Sequence, residues 1–214
     1  MLDRMQTTAT QWPKSSRCAR RARLCLVVVM ISMGGVTGVA GAATGTSAAI
    51  YQAFGPHGAA KLLTRPKAGY CWVGSLTTPR RDAWRCMTGN YIHDPCFSSA
   101  YVSGIVLCPD APWLKTAVKI RLTKTLPYTH GNRSAPSLRA EPWAIELYGG
   151  RRCLFSSGAS NVVEGKRLNY FCAASSHEGL WGFPYRGSEP WTILIGPFQA
   201  SALSERAAVR RAWM

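Results

Sequence analysis

The sequence predicts an all-β or β-rich fold: a small disulfide-stapled sandwich or partly open barrel with short helices at most. Three observations carry this. Short runs of β-branched and aromatic residues alternate with Gly, Pro and Asn punctuation. Two such runs flank Gly149-Gly150, a pair that supplies the positive φ of a tight hairpin turn. Six cysteines, Cys71, Cys86, Cys96, Cys108, Cys153 and Cys172, lie downstream of an export-like N-terminus and read as a disulfide framework.

The elements follow in order. Thr88-Gly89-Asn90 and Asp94-Pro95 read as turns. Residues 101–108 read as a strand ended by Pro109-Asp110. In residues 117–124, Val118, Ile120 and Leu122 alternate with Lys119 and Arg121, the period of two of a half-buried strand with a basic outer face. Residues 127–141 are polar and read as a loop. Residues 143–148 and 151–155 form the hairpin with a two-residue turn, and residues 167–172 and 191–195 are further strands. The tail, residues 204–214, has a composition that also suits a helix, but residues 208–213 are read as a last edge strand.

The N-terminus has its own logic. The first 23 residues carry six basic groups and one acid, Asp3, whereas the 19 residues from Leu24 to Ala42 carry no charge and end in Ala40-Gly41-Ala42. A basic region, an apolar core and an A-x-A site in that order describe a signal peptide cleaved after Ala42. The alternative is an uncleaved anchor, since 24–42 approaches the ~20 residues that span a bilayer, but Gly34, Gly35, Gly38 and Gly41 dilute its second half. The expected organisation is a signal peptide over 1–42, a flexible linker over 43–67 and one disulfide-stapled β-rich domain over 68–214. The expected location is extracytoplasmic, secreted or periplasmic, with membrane association through 24–42 if the segment is retained.

Removing 42 of 214 residues leaves 172, enough for a real core that the disulfides reinforce. Six of the 26 basic and one of the 10 acidic residues precede position 43, leaving 20 against 9, a balance of +11. Such a surface attracts anionic envelope polymers or lipid headgroups. The cations are scattered, so no specific nucleic-acid site is expected.

Cysteine counting leaves the connectivity open. Cys153 and Cys172 lie on strands one loop apart and are expected to pair. Cys86 and Cys96 enclose two turn signals, which favours their pairing and leaves Cys71 for Cys108. The absence of any C-x₂-C unit argues against a zinc site. His57, His93, His130 and His177 are isolated, no G-x-S-x-G elbow or phosphate-binding glycine loop occurs, and neither metal nor cofactor is expected.

Two segments carry candidate chemistry. Arg81, Asp82, Arg85, Asn90, His93 and Asp94 cluster around Cys86 and Cys96. If His93 converged with Asp82 or Asp94, acid–base work on an anionic substrate held by Arg81 or Arg85 would follow. The structural reading of the same residues is an Asp82–Arg85 pair and an Asx-turn at Asp94. Residues 179–187, Gly-Leu-Trp-Gly-Phe-Pro-Tyr-Arg-Gly, read as an aromatic loop in which Trp181, Tyr185 and Arg186 face a sugar or a peptide.

Cys71-Trp72-x-Gly74-Ser75, Asp82-Ala83-Trp84-Arg85-Cys86 and Asp94-Pro95-Cys96-Phe97 occur in that order. So do Cys108-Pro109, Pro142-Trp143-Ala144-Ile145-Glu146-Leu147, Gly150-Arg151-Arg152-Cys153 and Asn169-Tyr170-x-Cys172. In these motifs, spanning about residues 70–195, the chain resembles a group of bacterial exported proteins. The resemblance implies export and a disulfide-stapled domain, and it brings no catalytic residues with it. The functional expectation is an exported, non-catalytic envelope domain, binding or structural. The alternative is an extracytoplasmic enzyme acting on an anionic polymer through Arg81, Asp82, Arg85, His93 and Asp94.

Overall fold

The computed structural model describes residues 45–128, 133–173 and 177–214. The export segment lies outside them, and among the described residues no helix is long and apolar enough to cross a membrane. The fold is all-β. A short strand, β1 (Ser47–Ala49), precedes a meander of five: β2 (Leu63–Gly74), β3 (Ala83–Thr88), β4 (Tyr91–Ser99), β5 (Val102–Pro109) and β6 (Thr116–Leu122). Each runs antiparallel to the next. In an alternating series the first and fifth strands point the same way, so the ring can close only through a parallel pair. β2 and β6 supply it, with Leu63 opposite Thr116 and Gly69 opposite Leu122.

A second meander follows: β7 (Ala144–Leu147), β8 (Arg152–Phe155), β9 (Val162–Val163), β10 (Lys166–Cys172), β11 (Glu178–Tyr185), β12 (Thr192–Pro197) and β13 (Glu205–Trp213). β9 pairs only with β10. The other six close antiparallel, as an even number must, through β13 and β7. The tail is therefore no edge strand: β7 lies on one side of it, with β12 and then the parallel β1 on the other. A bulge between Val209 and Arg211 lets Val209 and Ala212, of opposite parity, both enter the core. Closure leaves neither ring with a long unpaired edge.

Three apolar clusters hold this together. Trp84, Val106, Val118 and Ile120 fill the first barrel beside four cysteines. Ile145, Tyr170, Leu180, Ile193 and Val209 fill the second. Between the barrels Tyr51, Phe97 and Leu107 meet Trp143, Ala144 and Trp213. Strand β7 is thus buried on both faces, Ile145 and Leu147 inward and Ala144 toward the first barrel.

Three sequence expectations need correction. The described part of the expected 43–67 linker, residues 45–67, is not a free linker: β1 pairs with β13, Tyr51 and Ala53 are buried, and β2 begins at Leu63. These segments carry few apolar residues because most of their side chains face solvent, so the apolar pattern that marks a strand is missing. Asp94-Pro95 is not a turn and lies within β4. The disulfides are Cys71–Cys86, Cys96–Cys108 and Cys153–Cys172, so only the last matches expectation. The reason is register. Cys71 faces Cys86 across β2–β3, and Cys153 faces Cys172 across β8–β10. Across β3–β4, however, Cys86 faces His93, and Cys96 faces Trp84. The Cys86, Cys96 and Cys108 sulfurs still lie within 4.8 Å of one another, so the two disulfides of the first barrel touch in its core. Three disulfides fit an oxidising, extracytoplasmic compartment.

The hairpin forms about Gly149 and Gly150, at φ +94 and +84. Leu147 N donates to Arg151 O and Gly150 N to Leu147 O, which makes the turn one residue longer than the two-residue form.

Two buried phenols make the fold sensitive to alkali. Burial pushes the Tyr51 hydroxyl up to about 12. It raises Tyr170 well above the ordinary value too, with Glu141 adding to the rise and Arg186 opposing it. Both phenols ionise more easily in the unfolded chain, near pH 10. Their stabilising contribution is therefore complete below about pH 10 and is lost as pH climbs through the folded values, near 12 for Tyr51. The Tyr51 hydroxyl is buried without a hydrogen-bond partner among the described residues. Tyr51→Phe is accordingly expected to leave stability at pH 8 nearly unchanged and to reduce its decline between pH 9 and 11. Urea titrations at the three pH values check this.

Candidate functional site

The Arg-Asp-His cluster comes apart in the fold. Arg81 is exposed. Its neighbour Arg80, only 2% exposed, holds Asp82 in a fork: Nε donates to Oδ1 at 3.0 Å and Nη2 to Oδ2 at 2.6 Å. Asp82 therefore pairs with Arg80 and not with Arg85. Asp94 belongs to a second pair, accepting from Arg85 Nη1 at 3.3 Å. It also accepts from Ser75 Oγ at 2.5 Å, the Leu76 amide at 3.0 Å and Thr77 Oγ1 at 3.1 Å. These bonds make it the anchor of the 75–78 loop and not the cap of an Asx-turn. His93 sits elsewhere, its Nε2 2.9 Å from Thr88 Oγ1. Burial lowers its pKa, Lys67 lowers it further and Asp110 opposes them. Neither Asp82 nor Asp94 figures among its charged neighbours. An acid–base pair must lie within hydrogen-bond reach, and no hydrogen bond of the described residues joins His93 to either carboxylate. Asn90 follows the turn glycine Gly89 (φ +57) and is exposed, away from these pairs.

The aromatic segment is also rearranged. Residues 178–185 are strand β11 and not a loop. Trp181 is 1% exposed, with Nε1 donating to Gly196 O, and offers no face to a ligand. Gly182, at φ +68, sits where the β11–β12 register shifts between Trp181 and Tyr185. Beyond it Phe183 (46%) and Tyr185 emerge to the surface. Arg206 lies over the Tyr185 ring. Arg186 is committed to structure: it donates to Leu138 O, Arg139 O and Ala140 O, pairs with Glu141 and lies 4.6 Å above the Trp191 ring.

What the fold does build is a cleft of about 730 Å³ where the barrels meet, within the roughly 300–1,000 Å³ range of ligand sites. Leu76 of the first barrel lines one side, and Phe155, Ser157, Lys166, Asn169 and Phe183 of the second line the other. The Phe155 and Phe183 rings lie parallel within 4°, centroids 6.0 Å apart. Arg167 braces the floor, donating to Asn169 Oδ1, Ser156 O and Gly158 O. Asn169 donates in turn to Gly182 O at 3.0 Å. Arg85 reaches across from the first barrel to donate to Ser157 Oγ at 3.0 Å.

The chain matches no family model, no curated protein and no solved structure.

The cleft's chemistry therefore speaks from its own residues. Lys166 is exposed and lines it, and no hydrogen bond or ion pair of the described residues uses its ammonium. Among the described residues the site offers an exposed cation, Lys166, a second cation, Arg167, held in the floor, an exposed aromatic face and braced polar groups, and no hydrogen-bonded nucleophile–base pair. Of the residues singled out in sequence, only Arg85 and Asp94 contribute, by tying the 75–78 loop and Ser157 together. Lys166, Asn169 and Phe183 were missed. The signal for Phe183 lay in Gly182, read as part of a loop and acting as a bulge.

Proposed function

We propose that this protein is an exported, non-catalytic binding domain of the cell envelope whose cationic surface engages anionic envelope components. The observation that supports it best is how its charge is distributed. The chain beyond residue 42 carries an excess of +11, and its few acids are mostly occupied. Asp82, Asp94, Asp110, Glu141, Glu146 and Glu178 all sit in ion pairs with arginines. Arg121, Lys124 and Lys166, among others, are left facing solvent. The basic n-region with its A-x-A site, the three disulfides and the resemblance to exported proteins support the location, secreted or periplasmic, with retention through 24–42 as the alternative. The enzyme reading is disfavoured by the separation of His93 from Asp82 and Asp94.

The expected result is retention of the purified mature domain on isolated envelope material at low salt. Release should follow as salt rises toward 1 M, where screening acts over about 3 Å. Absence of retention at low salt overturns the reading.

A further inference from the structure

We infer that the junction between the barrels is a two-subsite groove for a carboxylated polysaccharide, an inference that rests on the anionic-envelope reading. A second cleft, about 400 Å³, adjoins the first and shares Leu76 with it. Leu76 is the ridge between them. Its side chain is exposed, but its amide is pinned to Asp94, so the ridge is fixed in place. Each cleft carries one accessible aromatic face, Phe183 in the first and Trp72 (39% exposed) in the second. Arg85 lies between them, 5.8 Å from the Trp72 ring and bonded to Ser157 in the other cleft.

The electron-rich face of an aromatic ring attracts the polarised C–H groups on one face of a pyranose, as it attracts cations and ring edges. The Ser157 hydroxyl, half-buried and accepting from Arg85, keeps its own proton for a sugar hydroxyl. Lys166 is exposed in the first cleft, and Arg167 behind it is bonded only to neutral oxygens, so the cleft carries cationic charge that no acid of the described residues neutralises, which suits a sugar acid. A nucleic acid would call for a track of phosphate-binding cations, and of the two cations lining the first cleft only Lys166 is exposed, Arg167 being held by the floor. A bilayer surface would call for a protruding apolar patch, and these aromatic faces line recesses. Two recesses either side of one ridge suit consecutive units of a chain, so affinity grows with ligand length.

The test is calorimetric titration of the mature domain at low salt with galacturonic acid, a galacturonate oligomer, a neutral galactose oligomer, polyphosphate and anionic phospholipid vesicles. The oligomer should bind at least about tenfold more tightly than the monomer and than its neutral counterpart. Lys166→Gln, Phe183→Ala and Trp72→Ala should each weaken it by about tenfold, and Arg121→Gln, on β6 outside both clefts, by less than about twofold. All four side chains are at least partly exposed, and circular dichroism confirms that the variants fold. If Arg121→Gln costs as much as Lys166→Gln, or if polyphosphate or vesicles bind as well as the oligomer, the groove is refuted and the general cationic reading survives. If no anion binds at low salt, both fall.

Discussion

Arg80→Ala is expected to lower the free energy of unfolding by about 3–5 kcal/mol, the summed cost of leaving two buried carbonyls and the half-buried Asp82 carboxylate without their donor. Arg80 is buried and its fork satisfies both oxygens of Asp82. The same guanidinium donates to Tyr51 O at 2.7 Å and to Met214 O at 3.0 Å, and lies 4.7 Å from the Phe97 ring. One side chain therefore joins the loop before β3, the segment after β1 and the residue after β13. Truncation strands a carboxylate and two carbonyls at once. Arg80→Lys keeps the charge but cannot reproduce the fork, and is expected to fall between alanine and the native residue. Urea denaturation of the three proteins at neutral pH measures the series. A loss under about 1 kcal/mol for the alanine variant would show that water replaces the guanidinium without penalty.

Trp143→Ala is expected to cost a similar amount, about 3–5 kcal/mol, by opening a cavity where the barrels meet. Trp143 is buried between Tyr51, whose ring stands edge-on at 5.3 Å, and Phe97 at 6.0 Å. Phe97 lies on β4 of the first barrel, Trp143 just before β7 of the second, and Tyr51 in the segment after β1, which pairs with β13. The cavity therefore weakens the contact between the rings more than either interior. Unfolding of the variant should split into two steps, while the native protein unfolds in one. Trp143→Phe, which retains most of the ring area, should keep a single step. Fluorescence and far-ultraviolet circular dichroism along one denaturation curve separate these outcomes. Coincident transitions in the alanine variant would mean that the barrels stay coupled without Trp143.

Two of the strands that showed in the sequence did so for different reasons. Val118, Ile120 and Leu122 mark β6 by alternation, because burial of one face leaves a period of two, whereas β7, buried on both faces, is marked by the Gly149-Gly150 turn that follows it. The start of β2, Leu63-Thr64-Arg65-Pro66-Lys67, was not legible: most of its side chains are exposed and its order comes from backbone pairing with β6. Cystine connectivity needed register, which a one-residue slip would change. Cys153 and Cys172 were safe because their strands had no competing partner cysteine. Cys86 had Cys71 on one side and Cys96 on the other, and only the pairing frame of β3 decided between them. At the candidate site the sequence pointed to Arg81, whereas the buried anchor is Arg80. Adjacent arginines are equivalent in sequence, and only the fold tells which one turns inward. The cleft was invisible for the same reason: Leu76, Lys166 and Phe183 are far apart in the chain, and none has a local pattern that announces a ligand.

The parity of the first ring fixes where the chain leaves it. With five strands, the exit after Leu122 lies at the end opposite the entry at Leu63. The next strand is needed back near the entry, where Leu62 packs against the cluster that holds Trp143. The described residues 123–128 and 133–143 therefore belong to a stretch that starts about 20 Å, the length of β6, from the entry end. On the way this strap is sewn to the 79–81 loop, through Ser134 N to Pro79 O and Arg81 N to Ser134 O, and it lends Pro127 and Tyr128 to the second cleft. A six-stranded first ring would hand the chain back at its own doorstep, with no strap to run and no such wall for the cleft.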